Sequence, residues 1–64
     1  MNIIVREDIK SGKLDYVVGS PTSYHLTVNR NEATSFKGAQ ILPALKYAKK
    51  TVNPNDTRVF TASA

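Results

Sequence analysis

Only one stretch of this 64-residue chain has the period of a helix, and a proline fixes where that helix can begin. The stretch is A-Q-I-L-P-A-L-K-Y-A-K-K-T, residues 39 to 51. At about 100° per residue, Ile41, Ala44, Leu45, Ala48 and Val52 fall on one arc, with Lys46, Lys49 and Lys50 nearly opposite. Pro43 in a helix interior would cost about 3 kcal/mol. In the first turn it costs little, because an N–H there has no intrahelical acceptor. The helix therefore starts near Ala39 or Gln40, and Asn53-Pro54-Asn55-Asp56 stops it.

The remaining apolar runs are short, β-branched and bounded by turn residues, so they read as strands. N-I-I-V-R, 2 to 6, and L-D-Y-V-V, 14 to 18, form a hairpin around the loop 8 to 13, where Gly12 supplies a positive φ. G-S-P-T-S, 19 to 23, is loop punctuation. S-Y-H-L-T-V-N, 23 to 29, alternates cleanly, with Tyr24, Leu26 and Val28 on one face and Ser23, His25, Thr27 and Asn29 on the other. N-R-N-E, 29 to 32, is a turn; A-T-S-F, 33 to 36, is either a short extended piece or the lead-in to the helix; T-R-V-F-T-A, 57 to 62, is a last strand.

The predicted fold is α+β and a single domain over 1 to 64. A small antiparallel sheet of three to five strands carries one helix, about 39 to 51, on one face. Ile3, Val5, Leu14, Tyr16, Val18, Tyr24, Leu26 and Val28 are expected to meet Ile41, Leu45, Ala48 and Val52. Such a chain buries only about 60% of its unfolded surface. It has no cysteine to staple it, which fits a reducing, cytoplasmic setting. No apolar run approaches the ~18 residues of a membrane span, and M-N-I-I-V-R-E-D does not read as a signal peptide.

The net charge is +4, and its location matters more than its size. Residues 1 to 32 balance Arg6, Lys10, Lys13 and Arg30 against Glu7, Asp8, Asp15 and Glu32, and Asp56 offsets Arg58. Residues 33 to 55 hold Lys37, Lys46, Lys49 and Lys50 and no acid. Late lysines suit the negative end of a helix dipole, and they also form a basic patch for an acidic partner or for phosphates.

The order of three strands and a helix resembles integrase arm-type DNA-binding domains, which implies an exposed sheet face in the major groove. That face would carry Arg6, Asp15, Val17, His25, Thr27 and Asn29, a poor set for reading bases. G-K-L-D-Y-V-V followed by A-L-K-Y-A-K-K resembles HicB-type antitoxins in order. Gly38-Ala39-Gln40 stands where that family opens its helix with acid and alanine.

His25 is the only histidine, and catalysis would need a nucleophile and an orienting carboxylate beside it. No carboxylate spacing makes a metal loop, and S-G-K at 11 to 13 is too short for a phosphate loop. No catalytic residue, cofactor or metal is expected.

The sequence points to a small regulatory or accessory protein of phage or plasmid type, acting by binding a protein partner, as monomer or homodimer. Its alternative is a nucleic-acid-binding protein. The candidate binding residues are Lys37, Lys46, Lys49, Lys50, Arg30 and Arg58. The polar strand adds Ser23, His25, Thr27 and Asn29 as candidate contacts at an exposed sheet edge.

Overall fold

The computed structural model describes residues 1–50, 53 and 55–63. The elements run β1 (Asn2–Asp8), β2 (Leu14–Ser20), β3 (Ser23–Thr27), α1 (Ile41–Lys50) and β4 (Thr57–Ser63). Short 3₁₀ turns occupy Arg30–Glu32 and Gly38–Gln40. The fold is the expected α+β: one antiparallel sheet, order β3-β2-β1-β4, with one helix. β4 returns to the sheet beside β1. Thr51, Val52 and Pro54, assigned from sequence to the helix end, its apolar arc and its stop, lie outside the described residues.

α1 opens at Ile41, so Pro43 sits in its first turn as its missing N–H requires. The helix meets the sheet through Ala44 and Ala48, both fully buried, with Ile41, Leu45 and Tyr47 beside them. Two alanines at the contact bring the helix axis close to the strands. Beyond it, Asn53 accepts from the backbone N–H groups of Asp56 and Thr57 and turns the chain into β4.

The structure corrects which residues the helix covers. Leu26 and Tyr24 of β3 face it as expected, and register carries that face inward: Leu26 opposite Val17. Ile4 and Val17, not Ile3, Val5 and Tyr16, join Phe36, Ala44 and Ala48 in the helix-side core. Ile3, Val5 and Tyr16 make a second cluster on the other face with Ala33, Phe60 and Ala62. Leu14 is exposed, and Val28 is 84% exposed in the turn after β3. The strands I-I-V and Y-V-V are apolar at both parities, so alternation in them cannot choose a face.

Residues 33–36 are extended and wedge the sheet open. β1 and β2 pair only over Val5–Glu7 and Leu14–Tyr16. Beyond that, Thr34 N–H donates to the Val17 carbonyl (3.2 Å), and Asn2 and Phe36 exchange both backbone bonds (2.9 and 2.7 Å). The chain thus enters the gap from the Ala33 side and leaves it with Phe36 in the helix-side core. The sheet face proposed for a DNA groove is therefore not open. Arg6, Asp15 and Val17 belong to the helix side, and the 3₁₀ turn and Ala33 lie over the other.

Candidate functional site

The basic helix and the β2–β3 turn form the walls of one groove. Pro21 and Tyr24 come from the hairpin; Pro43, Lys46, Tyr47, Lys49 and Lys50 come from α1. Its volume is ≈ 680 Å³. Pro21 lies between Ser20 and Ser23, the last paired residues of the two strands, so the turn projects beside the helix. On the helix, Pro43, Tyr47 and Lys50 share the flank that faces this turn, a consequence of their spacing of four and three.

The groove is apolar inside and cationic at its rim. Tyr24 and Tyr47 pack with ring centroids 5.1 Å apart and planes at 36°. Phe36 meets Tyr24 edge-on at 6.4 Å. The Tyr24 hydroxyl oxygen is buried and has no hydrogen-bond partner among the described residues. Lys46, Lys49 and Lys50 are exposed, and none is in an ion pair among the described residues. A second hollow of ≈ 510 Å³ follows the other flank of α1, past Leu42, which is 71% exposed.

The six candidate basic residues do not converge. Lys46, Lys49 and Lys50 share the groove, while Lys37 stands exposed before the Gly38–Gln40 turn. Arg58 pairs with Glu7 (3.1 Å) and lies 5.4 Å over the Phe60 ring, on the sheet face away from the helix. Arg30 donates to the Ser63 carbonyl at 2.9 Å, in the 3₁₀ turn that precedes Ala33. Lys10 reaches Asp56 at 3.9 Å, between exposed groups.

The polar residues of the third strand divide as well. β3 is an edge strand. Ser23 and His25 are exposed on it, and Thr27 donates its hydroxyl to Glu32 (2.9 Å). Asn29 lies beyond the strand and accepts the Asn31 N–H at 2.9 Å. His25 has no side-chain hydrogen bond among the described residues and stands opposite Val18. Among the described residues no cluster of His, Asp and Glu has the makings of a metal site, and no helix is long and apolar enough to cross a membrane.

Tyr24 and Tyr47 pack at the edge of the helix-side core, and each also has one side in the groove, which the sequence reading did not foresee. The usable signal was Pro21 three residues before Tyr24 and Pro43 four before Tyr47, since proline beside an aromatic on a turn or first helical turn stays at the surface. No protein-family model, no curated protein and no solved structure matches this chain.

Proposed function

We propose that this protein is a small, non-catalytic binding module that docks a protein partner in the helix–hairpin groove. The occupant is an acidic segment with an apolar or aromatic anchor. The supporting observation is the groove's composition: an apolar floor of Tyr24, Tyr47, Pro21 and Pro43 under three lysines, with no carboxylate in its lining. An apolar anchor gains from burial, at about 25 cal/mol per Å². The lysines speed encounter and select the sign of the flanking charge. A regulatory or accessory role follows naturally for a chain that binds without altering its partner chemically.

Nucleic acid is the second reading, favoured by the same three lysines. It is weaker for two reasons. All three arginines, the side chains best suited to phosphate and base edges, are engaged away from the groove: Arg6 with Asp15, Arg30 with the Ser63 carbonyl and Arg58 with Glu7. The tyrosines are stacked on each other rather than presented flat for bases.

One titration compares the two. Fluorescence anisotropy is followed with a labelled Trp-centred, Glu/Asp-flanked peptide library and with mixed-sequence DNA and RNA, for wild type and a Lys46/Lys49/Lys50→Gln variant. Peptide binding that the variant loses supports the proposal. Oligonucleotide binding with log K falling by about 3 per log salt, near 0.9 for each of three lysines, and no peptide binding would replace it with the second reading.

A further inference from the structure

Among the described residues no strand pairs with the outer edge of β4, and we propose that two copies of this chain join there, antiparallel, about a two-fold axis at Phe60. The inference does not rest on the groove, which lies on another part of the surface.

The backbone fixes which groups face outward. Asn2 spends its N–H and C=O on Phe36, away from β4. Asn2 is the register partner of Ser63. On the same ladder, Ile9 N–H donates to Asp56, so odd-numbered positions at β1 point toward β4. Hydrogen-bonded and non-bonded pairs alternate along an antiparallel ladder. The pairs Ile3–Ala62, Val5–Phe60 and Glu7–Arg58 therefore bond, while Thr57, Val59, Thr61 and Ser63 turn their backbone groups outward. Only the Ser63 carbonyl has another partner among the described residues, the Arg30 guanidinium.

The strand is self-complementary about Phe60. A two-fold there sets Val59 against Thr61 of the second copy and Thr57 against Ser63 of the second copy. All four are outward positions, so these pairs are the hydrogen-bonded ones. Arg58 meets Ala62 of the second copy, and the two Phe60 rings meet across the axis. This centre is the one that overlaps the whole strand. The only charged residue of β4 is Arg58, and the two copies' arginines would stand four residues apart along the strand, about 13 Å. That is beyond the screening length of about 8 Å at physiological salt.

The flanks favour β4 over the other edge. Val59 packs on the helix-side core and Phe60 on the opposite cluster, and both stay half-exposed. A neighbouring strand covers both at once. β4 has no proline, no glycine and no lysine to blunt it, the usual protections of an edge. β3 is shorter, follows Pro21 closely and carries exposed His25 at its centre.

The test is sedimentation equilibrium from micromolar to millimolar concentration, with far-UV circular dichroism as the control for folding. The expected result is a mass rising from 7.0 kDa toward twice that value. Thr61 is exposed, and Thr61→Lys sets two lysines at diagonal positions about 7–8 Å apart on one face, which should weaken association at least about tenfold. Register is read by mixing Arg58→Cys and Ala62→Cys chains under mild oxidation, since these positions face each other as a non-hydrogen-bonded pair with the closer β-carbons and wild type has no cysteine to interfere. The mixture should yield the crossed disulfide dimer. A mass fixed at 7.0 kDa over the whole range overturns the proposal. So does a dimer that tolerates Thr61→Lys and gives no crossed disulfide.

Discussion

Thr34 and Gly19 are joined across the opening of the sheet: the Gly19 N–H donates to the Thr34 hydroxyl oxygen at 2.8 Å. Gly19 belongs to β2, and its inward N–H faces the side where β1 would lie in an unbroken sheet. The threonine side chain supplies that acceptor, and its own N–H satisfies Val17. Thr34→Val keeps the shape and deletes the acceptor. The loss should be about 1–3 kcal/mol, read as a lower urea midpoint at unchanged slope. Thr34→Ser should retain most of the stability. A Val variant equal to wild type would show that water replaces the hydroxyl at no cost.

Gly19 is also fixed by its own backbone. Its φ is 112°, and an added Cβ would collide with the Ser23 carbonyl oxygen. Gly19→Ala therefore combines strained backbone, about 1–3 kcal/mol, with a displaced β2–β3 turn. Gly12, at φ 74° but with open space around it, should lose less as Ala. Thermal melts of the two variants side by side would check the ranking.

Ala48 is fully buried where the helix crosses the sheet. Ala48→Leu forces the helix outward from Ile4 and Val17 and should cost about 1–3 kcal/mol. Because Tyr47 is adjacent, the same shift should disturb the groove. Tyrosine fluorescence and peptide affinity should change together, and a stable variant with intact affinity would contradict this packing.

Asp8 gives the fold an acid-sensitive corner. The Lys10 backbone N–H donates to its carboxylate at 3.0 Å, and with the Ser11 hydroxyl this holds the group below the ordinary 3.8. Its stabilising effect is complete above 3.8 and disappears as pH falls through the lower folded value. Asp8→Asn removes the charge and keeps an acceptor. The melting-temperature advantage of wild type over this variant should be present above about pH 4 and shrink as the pH is taken down below 3.8. A constant difference across that window would exclude Asp8 as its source.

How far the sequence reveals the fold depends on which strand is asked. Tyr-His-Leu-Thr alternates without ambiguity, and its face is the one observed. Ile3-Ile4-Val5 and Tyr16-Val17-Val18 carry apolar residues at every position, because both faces of the inner strands are covered. Their orientation becomes readable only through register, from Leu26 to Val17. Pro43 located the helix start because proline has one tolerated place in a helix. The 33–36 wedge was ambiguous since its bonds go to Asn2 and Val17, distant partners that no local pattern announces. The same applies to the groove. Its lysines sit in one heptad of sequence, whereas Pro21 and Tyr24 arrive from a hairpin far along the chain.

The wedge has a kinetic consequence. β1 is made first, yet beyond its short ladder with β2 its pairings lie with Phe36 and with β4, the last of the four strands to be made. Only the hairpins are local. Closing such distant pairings is entropically slow, so the rate-limiting step of folding should be the docking of 33–36 and β4 onto a preformed hairpin. Mutations in that hairpin would then slow folding, while mutations at Phe36 or Phe60 would mainly hasten unfolding.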